Sequence, residues 1–195
     1  MTTRHSERQG ESPLLLLNNT EIEQVLPMDL TMQVVEEGYR QLFRGEAVCR
    51  PRVNVQIPTD DPNKHYNWST TEGGSAVTGY FASRLMSDVS YVQEYKGVET
   101  REKFCVRPGL FCGLVFLTNV HTGEPLALMN DGFLQHARQG ADGGIGAKYL
   151  ARDDSEVIGM LGSGGMARSH AEAYCVTRQI KRMKVFSPTQ EHREQ

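Results

Sequence analysis

Residues 156–174 read EVIGMLGSGGMARSHAEAY. The apolar run EVIGML has the length of a buried strand, GSGGMA (162–167) fits G-x-G-x-x-A, and MARSHAEAYCVTR is helical in pattern. MKVFS (183–187) then reads as a second strand at βαβ spacing. In such a turn Gly162 permits the tight bend and Gly164 lets the backbone approach a pyrophosphate. Ala167 lets the helix pack near the strand. The unpaired N–H groups of the first helical turn, at the positive end of the helix dipole, attract phosphate. The competing reading is a glycine turn required only for packing. The strand–turn–helix–strand context favours a dinucleotide.

The carboxylate that usually receives the ribose 2′-hydroxyl belongs at the end of the second strand. Ser187 stands there, in VFSPTQEHRE, and no carboxylate comes before Glu191. A serine flanked by Thr189, His192 and Arg193 accepts a 2′-phosphate without repulsion, which favours NADP(H) over NAD(H). Only eight residues follow Ser187. One βαβ unit has little core of its own. The expectation is a chain that ends inside a Rossmann domain, before the nicotinamide pocket.

Upstream, in DGFLQHARQGADGGIGAKYLAR, Ala137, Ala141, Ile145 and Tyr149 recur at steps of four, but Gly140, Gly143, Gly144 and Gly146 share the segment. Each glycine costs a helix about 1 kcal/mol relative to alanine. Either one face admits another backbone or a ligand at close range, or the helix is broken by a loop at 142–144.

The N-terminal part reads differently. Residues 1–12 are polar and are expected to be a disordered tail. Thr20 and Glu23 form a capping-box pattern for a short helix ended by Pro27. Leu30, Val34, Val35, Gly38, Leu42 and Phe43 repeat at helical spacing up to Gly45, so this helix should lie on something flat. In PRVNVQI, Val53, Val55 and Ile57 alternate with polar residues as in a half-buried strand. HYNWST, SAVTGYFASRLMS, GLFCGLVFLT and PLALM read as further strands, the last two joined by a hairpin at NVHTGE. The fold class is α/β: a mixed-sheet α+β domain over 13–130, then a connecting helix and the start of a Rossmann domain over 131–195.

With a net charge of −3, 38% hydrophobic and 23% charged residues, the chain has no basic footprint for nucleic acid. The cluster from Arg178 to Lys184 reads as a solvated helix end. Cys49, Cys105, Cys112 and Cys175 lack metal-ligand spacing and read as buried or half-buried thiols of a reducing, cytoplasmic protein. PLLLL (13–17) is too short for a signal or membrane span.

The order of these features, above all HTGEPLALMNDGFLQHARQGADGGIGAKYLARDDSEVIGMLGSGGMARSH, resembles the ornithine cyclodeaminase/mu-crystallin family from about Leu14 onward. The resemblance implies a substrate and dimerisation domain beside a Rossmann domain. It also implies a nicotinamide cofactor and a small amino acid or imine as substrate. By the same resemblance Arg52 takes the substrate carboxylate, Glu72 lines the pocket, and Arg138 stands at the substrate–cofactor boundary. The resemblance also implies that residues 162–167, chiefly Gly165 and Met166, hold the diphosphate. Arg84 occupies the place of a lysine; arginine stays protonated, so it clamps an anion and cannot serve as general base. Gln139 and Gly140 follow Arg138 where many members have a threonine after the arginine. The family's catalytic aspartate would lie beyond Gln195. The implied activity is hydride transfer at the Cα of an amino acid or cyclic imine, with this fragment inactive alone. The alternatives are conversion of L-ornithine to proline and ammonia, and non-catalytic NADPH binding.

Overall fold

The computed structural model describes residues 14–95, 97–104 and 113–187. Strand β1 (Leu15–Leu17) leads into helix α1 (Asn19–Val25) and helix α2 (Met28–Arg44). The capping box lies two residues earlier than expected. Asn18 Oδ1 accepts from Glu21 N at 3.0 Å, and Glu21 Oε2 accepts from Asn18 N at 2.8 Å. Thr20 is already inside the first turn. Gly45 ends α2 in the left-handed region, at φ +72°, as a helix C-terminus favours.

Strands β2 (Ala47–Cys49), β3 (Val53–Pro58), β4 (Lys64–Ser75), β5 (Tyr80–Tyr95), β6 (Val98–Phe104), β7 (Gly113–Asn119) and β8 (Pro125–Asn130) join β1 in one mixed eight-stranded sheet. The long β5 organises it. Its whole first half pairs with β4 on one side, while β7 and then β6 share its other side. All pairs are antiparallel except β1 with β8. The segment expected as one strand, 75–87, splits. Ser75 ends β4, residues 76–79 form the β4–β5 turn with Gly79 at φ +75°, and the next strand begins at Tyr80. β1, β2 and β6 had no clear alternation in sequence. The NVHTGE hairpin is present, closed by Gly123 N donating to Asn119 O at 2.8 Å.

Helix α3 (Gly132–Leu150) runs unbroken. It is followed by β9 (Val157–Leu161), α4 (Gly165–Thr177) and β10 (Arg182–Phe186), with β9 and β10 parallel over five residue pairs. The glycines of α3 meet α4. A Cβ on Gly140 would lie 2.5 Å from Ser169 O, one on Gly143 2.5 Å from the His170 ring, and one on Gly144 2.8 Å from Ala173 Cβ. The close approach is to a backbone, as the first alternative required.

Three expectations about burial are corrected. Helix α2 turns Met28, Met32 and Val35 onto Ala141, Ala173 and Ile145 of α3 and α4, so the core lies between helices. Its other apolar stripe, with Leu30, Val34 and Leu42, stays exposed beside the sheet. An amphipathic pattern names apolar positions but not their partner. On β3, Val53, Val55 and Ile57 are likewise exposed. Cys49 and Cys175 are exposed free thiols, not buried ones; Cys105 and Cys112 lie outside the described residues. No helix among the described residues is long and apolar enough to cross a membrane.

Candidate functional site

The glycine turn sits between the end of β9 and the start of α4. Gly162 has φ +105°, a conformation that side chains other than glycine rarely adopt, and its N–H donates to Phe186 O at 2.8 Å, locking the turn to β10. Gly164 is the N-cap of α4, and no side chain among the described residues caps the helix. The amides of the first turn therefore keep their donors for an outside acceptor. A Cβ on Gly164 would meet nothing within 4 Å among the described residues. That opening is what a diphosphate lying along the turn needs. Met166 and Ala167 are half-buried in the first turn.

His136, which the sequence reading passed over, abuts this turn from α3: a Cβ on Gly165 would fall 2.6 Å from its Cε1. Burial pulls the His136 imidazole below its ordinary pKa, with the Asp131 charge opposing. A neutral ring therefore faces the turn. Ser187 stands just past β10 as expected, and it is buried, with 6% exposure. Its neighbours Thr189, Glu191, His192 and Arg193 lie outside the described residues.

Strand register sorts the candidate polar residues by sheet face. Thr71 pairs with Arg84 and Glu72 with Ser83, so Arg84 and Glu72 point to opposite faces. Glu72 lies 2.6 Å from Arg50 Nε, an ion contact without a directed hydrogen bond, in a recess with Pro51 and Phe81. Glu72, expected to line the substrate pocket, therefore lies on the sheet face opposite Arg84. A single residue's shift in alignment turns a strand side chain over. Arg84 turns towards the N-terminus of α3. Its Nε donates to Asp131 Oδ2 at 2.7 Å, its Nη2 lies 2.6 Å from the same oxygen, and Gln135 Oε1 accepts from Nη2. Burial, more than any other influence, lowers the Arg84 pKa; Asp131 opposes this, and the like charges of Arg138 and Arg52 add to it. Both of those guanidiniums therefore lie within electrostatic reach of Arg84.

Arg138 lies two residues from His136 and so projects from a different flank of α3. Its Nη1 donates to Asp142 Oδ2 at 3.0 Å, and Asp142 Oδ1 accepts from Tyr39 Oη of α2 at 2.8 Å. That flank faces a cavity of about 820 Å³ between α2 and the sheet, walled by Leu30, Val34, Leu42, Val48, Tyr80 and Ala82. His136, and not Arg138, stands against the glycine turn. Asp131, Asp142 and Tyr39 join the site only through the fold. Asp131 is followed by a glycine at the start of a helix, and in sequence that reads as an ordinary N-cap.

Comparison with known proteins bears on the fold and the family. The model of the family described as ornithine cyclodeaminase/mu-crystallin matches residues 13–195. The alanine dehydrogenase of Archaeoglobus fulgidus is 31% identical over 163 residues, which cover 82% of this chain and 44% of that protein. Among solved structures, the Delta(1)-pyrroline-2-carboxylate reductase of Thermococcus litoralis, in complex with NADH and L-proline, superposes with TM-score 0.72 at 26% identity, covering 93% of this chain and 51% of that one. An archaeal alanine dehydrogenase dimer with bound NAD superposes equally well, at TM-score 0.72 and 27% identity, with the same coverage. The chain spans about half the length of these relatives.

Proposed function

Because this chain belongs to the ornithine cyclodeaminase/mu-crystallin family, we propose that it forms part of a nicotinamide-dependent enzyme. Its reaction is hydride transfer at the carbon between a carboxylate and an amine or imine. The observation that carries this reading is the open glycine turn at Gly164, where no side chain among the described residues caps α4, together with the half-buried Arg84 held at the N-terminus of α3.

The nicotinamide cofactor, when bound, gives or takes the hydride. The amides of Gly165, Met166 and Ala167 hold its diphosphate. Arg84, Arg52 and Arg138 receive the substrate carboxylate, and a guanidinium fork fixes a planar carboxylate in orientation, which aims Cα. Arg84 stays charged despite its burial and serves as an anchor, not as a base. The activities of the relatives named above, alanine dehydrogenase and pyrroline-2-carboxylate reductase, support a dehydrogenase or imine reductase over ornithine cyclisation. Preference for NADP(H) rests on Ser187 in place of a carboxylate after β10; its burial weighs the other way. The exposed apolar row Val53, Val55 and Ile57 and the dimeric alanine dehydrogenase support a homodimer through the sheet. The exposed free thiols Cys49 and Cys175 suit a reducing, cytoplasmic setting.

The test supplies the full-length protein with NADPH or NADH and either pyruvate plus ammonia or a cyclic ketimine carboxylate. Reduction of one of these substrates, with oxidation of the nucleotide, is expected. Conversion of L-ornithine to proline without net change in the nucleotide would overturn the reductase assignment. Absence of nucleotide binding would overturn the whole reading.

A further inference from the structure

We propose that Asp131 is a positioning residue, which orients the Arg84 guanidinium for the substrate carboxylate; the proposal rests on the functional reading above. Asp131 is the N-cap of α3, where an aspartate normally accepts the amide of the second or third helical residue. Here its side chain makes no such bond. Asn19 of α1 does that work instead: its Oδ1 accepts from Phe133 N at 2.9 Å. A Cβ on Gly132 would lie only 2.9 Å from the Asn19 amide, so the residue after Asp131 must be small for Asn19 to reach. Relieved of capping, the Asp131 carboxylate turns onto the sheet. It sits over Gly113 of β7, where a Cβ would collide with it.

The geometry of the pair suits orientation better than stability. Asp131 is fully buried, and Arg84 reaches one of its oxygens with two nitrogens. The other oxygen, Oδ1, is buried with no hydrogen-bond partner among the described residues. An arginine–carboxylate pair serving stability would use both oxygens in a parallel fork. A buried pair with an orphaned oxygen contributes little beyond what an apolar pair would. What the arrangement does secure is the plane of the guanidinium: Asp131 fixes Nε and Nη2, and Gln135 restrains Nη2 from the next turn of α3. Asp131 also supplies a negative charge next to the guanidinium that Arg52 and Arg138 press upon.

The experiment measures steady-state kinetics of the full-length protein with the carboxylate substrate and the nicotinamide nucleotide. Asp131→Asn keeps the shape and removes the charge. It should raise KM for the carboxylate substrate about tenfold or more, leaving kcat within about threefold and the nucleotide KM unchanged, because an anchor acts on ground and transition states alike. Asn19→Ala, which removes the cap alone, should lower Tm and leave both KM values at wild type. The double variant Asp131→Asn/Arg84→Gln leaves no unpaired buried charge, and its KM should equal that of Arg84→Gln. Wild-type KM in Asp131→Asn, or a further rise in KM from Asp131→Asn in the Arg84→Gln background, overturns the proposal. A wild-type protein that turns over no carboxylate substrate with either nucleotide overturns the functional reading and this inference with it.

Discussion

Adding a single methyl group to helix α3 should have opposite effects at two of its glycines. In isolation each Gly→Ala change gains about 1 kcal/mol of helix propensity. At Gly146 nothing among the described residues lies within 4 Å of the new Cβ, so Gly146→Ala should be more stable by about that amount. At Gly140 the new Cβ would lie 2.5 Å from Ser169 O, 2.6 Å from Ser169 C and 2.9 Å from Ser169 Cβ. Favourable carbon contacts begin near 3.5 Å, so α4 must retreat by roughly 1 Å. Two of the three atoms are backbone, and a rotamer change cannot relieve the clash. Overpacking of this kind costs about 2–3 kcal/mol or more, because α4 would also lose Ala173 from its place against Gly144 and Met32. The net loss for Gly140→Ala is then about 1–2 kcal/mol once the ~1 kcal/mol of propensity is credited. For a chain of this size, ~1 kcal/mol moves Tm by roughly 2–4 °C. Melts followed by circular dichroism should place the two variants on opposite sides of wild type. A Gly140→Ala protein as stable as wild type would show that α3 and α4 do not meet at this distance.

Three further outcomes are expected. Arg178, read from sequence as part of a solvated cluster, instead donates to the carbonyls of Ala147, Lys148, Ala151 and Arg152 at the end of α3, with its side chain 11% exposed. Arg178→Ala should cost about 2–3 kcal/mol in urea denaturation, and Arg178→Lys should recover only part of it, since an ammonium lacks the fork. Gly164→Val has an ordinary φ of −76° and open space, so its melting temperature should match wild type while calorimetry finds nicotinamide nucleotide binding lost; retained affinity would place the diphosphate elsewhere. For His136, whose folded pKa is depressed, both states are neutral above about 6.5. Below that the unfolded chain takes the proton first, so stability should fall as pH drops, levelling once pH is below the folded pKa. His136→Gln should remove that step from a plot of Tm against pH.

The glycine turn was legible in sequence because its causes are local. A strand-length apolar run, a residue that tolerates φ +105° at Gly162 and a helix that starts without a capping side chain are properties of neighbours along the chain. The crowding of glycines in α3 likewise announced a close approach, though not its partner. Face assignments were not legible in the same way. Arg84 and Glu72 lie on long strands where one step of register reverses every side chain, and only the β4–β5 pairing shows that Glu72 looks away from Arg84. Helix α2 carries two apolar flanks, and which one is buried depends on where α3 and α4 dock.

The sequence by itself therefore determined the local architecture of this protein: the βαβ unit, its phosphate-ready turn and the glycine-lined helix before it, each dictated by backbone sterics over a few consecutive residues. Tertiary structure alone decided which charges meet. Asp131 reaches Arg84, 47 positions away, while Asn19, 114 positions from Phe133, caps α3. Contacts between residues so far apart depend on how the helices settle against the sheet, and no pattern along the chain encodes that settling locally.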